Sequence, residues 1–341
     1  MTSWVVALPG DVNNPENRDS RFSRAVGPGM PSIYREVVRV MFQMRRASLS
    51  VLWIPVSLFG LFGCFENWDL GTLDTGYVDP DAGDAPPSTA FTVATYNVEN
   101  FDLGGDADGQ YANVAAFAAE AELDVLVLQE VQQDANGDDI MLFIQALGDA
   151  GYSMPYFESS SESDGFNALA VWSRIPIWDF EEIARQNTRT AIRFAVGYSG
   201  PDVTLIACHL KSGEDPTSAA KRTQEARVLA AYIMDHLNRI GETLILLGDM
   251  NTSARADFVP YGTLDLLTLP QSPKGQLVPV NLNELPDTPT YPSSGGILDH
   301  ILLSPATLQY YISGSAAVPH PAGDGPYGPS DHYPVLVKLR R

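Results

Sequence analysis

The chain has 341 residues, of which 45% are hydrophobic and 18% charged, with a formal net charge of −21. This is the balance of a globular protein with room for one large domain plus extra segments, or two small domains. The negative field argues against avid binding of a long polyanion by a broad basic face. It leaves open chemistry on a phosphate wherever a bound divalent cation supplies local positive charge.

Residues 1–43 show no apolar periodicity before the segment around Val37. The expected translation start is therefore Met41 or Met44, with the upstream residues disordered or mis-assigned. Residues 44–64, MRRASLSVLWIPVSLFGLFGC, place Arg45 and Arg46 before an uncharged apolar stretch that ends in small residues. That is the layout of an export signal. Its end, Leu61-Phe62-Gly63-Cys64, resembles a bacterial lipobox, which implies lipidation of Cys64; an uncleaved anchor or an ordinary signal peptide is the alternative. Residues 65–90 carry six acidic and no basic side chains among Pro, Gly, Ser and Thr, a composition that cannot bury enough apolar area to fold alone. They read as a flexible tether. The expected location is the bacterial cell envelope, lipid-anchored with the remaining domain outside the cytoplasm, or secretion. The second cysteine, Cys208, lies in a predicted buried strand and reads as a small hydrophobe rather than half of a disulfide.

From residue 91 the chain alternates apolar runs with helical patterns. FTVATYN, DVLVLQE, ALAVWSR, TAIRFAVGY, VTLIACH, TLILLGD, LDHILLS and YPVLVKL read as strands. Helices are predicted over 111–122, over 138–149 with Ile140, Phe143, Ile144 and Leu147 on one face, and over 217–239. The last is expected to be capped by Thr217 or Ser218, to bury Ala226, Leu229, Ile233 and Leu237, and to end at Gly241. PYFESSSESDGF at 155–166 is too polar for an apolar hairpin that enters a membrane. Continuous apolar strands need cover on both faces. Two packed sheets with helices outside supply it, so residues 91–341 form one α/β domain.

Polar residues recur where these strands stop. ATYN ends at Asn97, DVLVLQE at Glu130 and VTLIACH at His209. TLILLGDMN delivers Asp249 and Asn251, GILDH supplies Asp299 and His300, and PSDHYPVLVKL carries Asp331 and His332. A single Asp or Asn in such a place is a turn residue, but six strand ends of this kind imply one shared polar site, where loops converge. Such a site suits a hard divalent cation and a phosphate.

In order and in type these segments resemble the endonuclease/exonuclease/phosphatase superfamily. The specific pieces are YNVEN at 96–100, LQE at 128–130, HLKS at 209–212, GDMN at 248–251 and SDHYPV at 330–335, and the resemblance spans residues 90 to 341. It implies a four-layer α/β/β/α sandwich of two mixed sheets. It also implies that Asn97 and Glu130 anchor the main metal, Mg²⁺ or Mn²⁺ with Ca²⁺ as a second ion; Asp331 is the expected third ligand. Oxygen donors of this kind suit such ions.

Hydrolysis also needs a base to take or orient the proton of water. His332 is the first candidate, held in its tautomer by Asp299 as the resemblance implies, and Asp249 is the competing base. Asn251 is expected to position water or phosphate, and His209 to donate to the phosphate. Lys211 and Arg189 are candidate phosphate contacts. Matching ALAVWSR to the deoxyribonuclease I segment whose glutamate pairs with the histidine puts Asn167 opposite His209. His236, His300 and His320 read as structural or surface residues. The expected activity is metal-dependent hydrolysis of phosphodiesters by a monomeric, surface-anchored or secreted nuclease. Sphingomyelinase-like phospholipid hydrolysis, phosphomonoester hydrolysis and non-catalytic phosphate binding are the alternatives.

Overall fold

Unbroken runs of Val, Ile and Leu demand an apolar neighbour on both sides of a strand, and in this protein a sheet covers one side and a helix the other. The computed structural model describes residues 90–101, 109–132, 138–161, 167–183, 188–239, 243–252, 262–268, 276–320 and 330–340. The expectations for residues 1–43, for the leader with Cys64, for the acidic tether up to residue 89 and for Gly241 lie outside them.

In chain order the elements are β1 (Ala90–Phe101), α1 (Gln110–Glu120), β2 (Val125–Gln132), α2 (Asp138–Asp149), β3 (Tyr156–Ser159), β4 (Asn167–Ser173), β5 (Ile177–Ile183) and β6 (Ala191–Val196). There follow β7 (Val203–His209), α3 (Pro216–Arg239), β8 (Leu244–Asp249), α4 (Thr263–Thr268), β9 (Val278–Pro279), α5 (Val280–Glu284), β10 (Asp299–Leu303), α6 (Pro305–Leu308) and β11 (Val335–Arg340). One sheet has the order β11-β1-β2-β4-β3 and the other β5-β6-β7-β8-β10-β9.

Alternation along the strands builds the layers. Val93, Val125 and Val127 of the first sheet meet Phe194, Leu205, Ile245 and Ile301 of the second in the central core. The opposite faces of β1 and β2, with Ala94, Tyr96, Leu126 and Leu128, pack on Val114 and Phe117 of α1 and Phe143 and Leu147 of α2. On the far side Ile206, Leu246 and Leu302 pack under Ala226, Leu229 and Ile233 of α3. The architecture is the α/β/β/α sandwich.

Among the described strand pairs, β1–β2 and β7–β8 are parallel and the rest antiparallel. Parallel neighbours end at the same edge, so each pair delivers two strand ends side by side.

Three local features differ from expectation. Neither β3, in the polar segment 155–166, nor β5 (IWDFEEI) is among the expected strands. Each is an edge strand of its sheet, and each exposes much of its length. Edge strands carry charge and lack the double-sided apolar run that marks a central strand. The cap of α3 is also corrected. The helix begins at Pro216, so the cap precedes the proline, which suits the first helical position because it has no N–H to satisfy. Asp215 accepts from the amides of Thr217 (2.9 Å) and Ser218 (3.1 Å) and from the Ser218 hydroxyl (2.6 Å).

Candidate active site

The ends of β1 and β2 are irregular. Past Val98, Glu99 (φ 42°) and Asn100 (φ 55°) are left-handed, and Glu130 has φ 62°. The pairing register slips between Asn97 and Phe101 on β1 and between Leu128 and Val131 on β2. Leu128 and Val131 both pack toward α1 and α2, although strict alternation would send them to opposite faces. The bulge absorbs the difference and re-aims a side chain, here the carboxylate of Glu130. Each left-handed non-glycine residue costs about 1–3 kcal/mol, and such residues collect at functional sites. Asn97, buried at the end of the regular part of β1, donates through Nδ2 to Glu130 Oε1 (3.1 Å) and, across the gap between the sheets, to Asp249 Oδ2 (3.0 Å).

The ends of β7 and β8 stay in register, with His209 opposite Asp249. Close approach there requires Gly248, which has φ 140°, and whose added Cβ would lie 1.9 Å from the Cys208 carbonyl oxygen. Asn251 (φ 49°) folds back, donating its backbone N–H to Asp249 Oδ1 (2.8 Å) and its amide to Asp249 Oδ2 (3.1 Å) and Leu210 O (3.0 Å). His209 Nε2 stands 3.5 Å from Asp249 Oδ2 and 3.7 Å from Glu130 Oε1.

On the neighbouring strand, Asp299 pairs with Asp249 in the ladder. Its Oδ2 lies 2.8 Å from Nδ1 of His332. His332 Nε2 is 3.9 Å from Asp249 Oδ2 and 3.8 Å from Asp331 Oδ1. Ser330 fixes this loop to β1, donating to the Asn97 carbonyl (2.6 Å) and accepting from the His332 N–H (3.0 Å). The Tyr291 ring leans over His332, with centroids 4.8 Å apart.

Burial and crowded charge set the protonation states. Burial, then the carboxylate of Asp299, push Asp249 up to about 7, against the opposing pull of His332 and Asn97. Burial alone would lower His332; Asp299, Asp249 and Asp331 outweigh it and raise the imidazole to about 10. Burial, then the positive charges of Arg189, His332 and Lys211, hold His209 well below its usual value. Glu99 is raised by burial and by the adjacent carboxylates of Asp331 and Glu130.

Two carboxylates held above their ordinary range mark negative charge that the protein does not neutralise. One further carboxylate oxygen, Asp299 Oδ1, is buried without a hydrogen-bond partner among the described residues. The surplus of hard oxygen donors fits a divalent cation. Asp249, Asp299 and His332 also place ligand atoms within 4.8 Å of one another. The 2.8 Å contact of His332 with Asp299 already uses the facing atoms of that pair as a charge-assisted hydrogen bond. Glu130 and Asp331 are the more exposed carboxylates of the site, with side chains 21% and 36% exposed.

The structure thus links Asn97, Glu130, His209, Asp249, Asn251, Asp299, Asp331 and His332 in one network. Arg189 and Lys211 flank it: the Arg189 guanidinium donates to Leu210 O (3.0 Å), beside His209. Asn167, expected opposite His209, lies opposite Gln132 in the ladder and donates to Asn100 (3.4 Å), while Asp249 and Glu130 stand beside His209. His300, fully buried, contacts the Thr252 carbonyl at 2.9 Å. His236 stacks on Tyr232, and His320 on Tyr333. Sequence reasoning missed Glu99, Ser330 and Tyr291. Glu99 and Ser330 sit inside YNVEN and SDHYPV, where a polar residue beside a site residue was the available signal; Tyr291 had none.

A model of the Endonuclease/Exonuclease/phosphatase family matches residues 94–332. No curated protein matches the sequence. Among solved structures, the Neisseria 3′ phosphatase NExo bound to a product DNA hairpin is 22% identical with a TM-score of 0.54, over 74% of this chain and 100% of that one. Humanized D. rerio TDP2 is 18% identical with a TM-score of 0.52, over 74% and 100%. Sphingomyelinase C from Streptomyces griseocarneus is 18% identical with a TM-score of 0.50, over 74% and 99%. At these identities the likeness is one of fold.

Proposed function

The chain belongs to the endonuclease/exonuclease/phosphatase family, and on that premise we propose that it is a divalent-metal-dependent phosphodiesterase that cleaves nucleic acid outside the cytoplasm. The observation that carries the reading is the position of Asp249. One buried carboxylate oxygen lies 3.5 Å from His209 Nε2 and 3.9 Å from His332 Nε2, and Asn97 ties it to Glu130.

Glu130 and Asp331 would hold Mg²⁺ or Mn²⁺, with Asn97 joining them once its amide is turned, since Nδ2 faces Glu130 and Asp249 while Oδ1 accepts from the Glu99 N–H (3.1 Å); when bound, the ion would neutralise phosphate charge and polarise the phosphoryl oxygen. The protein's own groups divide the remaining work. Asp299 fixes the His332 tautomer, as carboxylates do in other catalytic dyads. With its pKa raised to about 10, His332 rests as an imidazolium and donates to charge developing on the phosphate. An imidazolium cannot accept a proton. Asp249, the second of the two sequence candidates, is the base in this proposal: burial and Asp299 raise its carboxyl toward neutrality, and one of its oxygens faces both His209 and His332. Asn251 holds the Asp249 carboxylate in place. His209, kept neutral, donates a hydrogen bond to the phosphate, with Arg189 and Lys211 as cations beside it.

The nuclease reading over a lipid substrate rests on YNVEN, HLKS and SDH, which look most like secreted bacterial nucleases, and on the polar character of residues 155–166 where a membrane-entering hairpin would be apolar. Anchoring through Cys64, with the acidic tether as spacer and the protein a monomer, belongs to the same proposal. Cys64→Ser should move the protein from the membrane fraction to the soluble one.

The test is hydrolysis of plasmid DNA, RNA, sphingomyelin and a phosphomonoester with Mg²⁺, Mn²⁺ or Ca²⁺ and a chelator control. Cleavage of nucleic acid abolished by chelation is expected. Preferential hydrolysis of sphingomyelin or of the monoester would replace the substrate class, and no turnover of any of them with any ion would sink the hydrolase reading.

A further inference from the structure

Residues 209–213 leave β7 carrying His209 and Lys211 and turn toward α3. Beneath this segment is a small open cavity lined by Arg189, Cys208, His209, Glu225 and Leu229, among others. Polar contacts from α3 reach the segment. Glu225 is 3% exposed. Its Oε1 accepts from the Arg189 N–H (3.0 Å) and its Oε2 from the Lys211 N–H (2.7 Å). Arg222, 6% exposed, is three residues earlier and so on the same helix face. Its Nη1 donates to the carbonyls of Lys211 (2.7 Å) and Gly213 (3.0 Å).

The two oxygens of one carboxylate thus hold the backbones of two different segments, each bearing one of the cations beside His209. The span of that carboxylate sets the separation of the Arg189 and Lys211 amides. Arg222 fixes the far side of the loop, and Arg189 closes the circuit on Leu210 O, which also accepts from Asn251 at 3.0 Å. The carrier is stiff: α3 runs from Pro216 to Arg239 and is seated by Ala226, Leu229 and Ile233 on the second sheet. Burying two ionic side chains is expensive, and apolar residues of like volume are often as stable or more so. Two buried ionic side chains gripping one loop fit a demand for geometry.

We infer that Glu225 and Arg222 form a buried latch that positions His209, Lys211 and Arg189 toward the phosphate. They are positioning residues for the phosphoester hydrolysis proposed above, on which the inference rests.

Glu225→Gln tests it. The variant keeps size and shape, but only one of its two terminal atoms can accept, so one of the two N–H groups faces another donor. Kinetics would be measured on the substrate that the panel identifies, at saturating Mg²⁺, together with inhibition by inorganic phosphate. The expected result is a fall in kcat/KM of about 10- to 100-fold, the scale of a small misplacement of catalytic groups. Phosphate inhibition should weaken in parallel, while the Mg²⁺ concentration for half-maximal activity stays that of the wild type. Arg222→Lys, which keeps the charge but not the two-carbonyl reach, should fall between wild type and Arg222→Gln. Wild-type kinetics and phosphate inhibition in a folded Glu225→Gln protein would overturn the latch, as would a changed Mg²⁺ requirement with phosphate inhibition intact. If Glu225→Gln does not fold, the same split must appear in Arg222→Gln, and its absence there overturns the inference. A wild-type protein inactive on every phosphoester overturns the proposed function itself, whereas an active wild type with an indifferent latch variant overturns only this step.

Discussion

The two parallel strand pairs reach the same site by opposite means. β7 and β8 stay in register to their last residues, so His209 and Asp249 arrive paired and buried. β1 and β2 lose register before theirs, and Glu99, Asn100 and Glu130 all adopt left-handed backbone. The regular end supplies groups whose protonation is governed by burial. The irregular end supplies oxygen donors nearer solvent, turned by a bulge toward a place that plain alternation would miss. The proposed division of labour follows the strand ends and not the sheets, with Asp249 at the end of β8 for proton transfer and Glu130 on β2 for the cation, and the Asn97 amide bridges the two.

The largest effect should come from the proton-transfer side. Asp249→Asn and His332→Ala should each lower the rate about 10²–10⁴-fold or more, the range of general acid–base catalysis. Raising Mg²⁺ or Mn²⁺ should not restore either, because added metal does not replace a proton carrier. Initial rates across a metal titration decide the matter, and recovery at high metal would erase the proposed division. Glu130→Gln alters an expected metal ligand and should behave differently. Its loss should shrink as metal is raised, with the activation curve displaced to higher concentration; an unshifted curve would move the cation seat away from Glu130.

A smaller effect joins the two sides through pH. Asp249 and Glu99 keep protons to higher pH than ordinary carboxylates, so a cation must displace protons to bind as pH falls toward and below 7. Metal affinity should therefore weaken from pH 8 to pH 6. Calorimetry in buffers of different ionisation enthalpy should show proton release at the lower pH and little at the higher. Equal affinity at both would mean that the raised carboxylates do not face the ion.

The smallest effect lies outside the site. Asp215→Ala removes the cap of α3 and should lower Tm by a few degrees with metal activation unchanged. The Ser218 hydroxyl and amide hold the Asp215 carboxyl below its usual range. Its stabilisation is thus present above the ordinary carboxylate pKa and lost as pH falls through the folded value, so the difference in Tm should close in acid.

The central strands were legible because burial on both faces leaves an unbroken apolar run, as in DVLVLQE and TLILLGD. Strand β5, with Asp179, Glu181 and Glu182 turned outward at an edge, has no such run and left no mark. The network of polar strand ends was legible for a related reason: each functional residue directly follows a strong strand. The means of delivery was not. Nothing in the letters of Glu99, Asn100 and Glu130 announces positive φ, which is imposed by the surrounding sheet. Glu225 and Arg222 were invisible for another reason. In a helix with polar residues on most faces, a buried charge reads like a solvated one until the loop it grips is seen.

Ser330 joins Asn97 across 233 positions of sequence, and β11 pairs with β1 along the full run from Ala90↔Arg340 to Thr95↔Val335. The strand that seats Asp331 and His332 is therefore the last of the sandwich to leave the ribosome, while its neighbour in the sheet is the first. Until that late strand closes against the early one, a growing polypeptide holds most of the site's carboxylates but neither His332 nor the serine that places it. An unfinished chain therefore lacks the completed site.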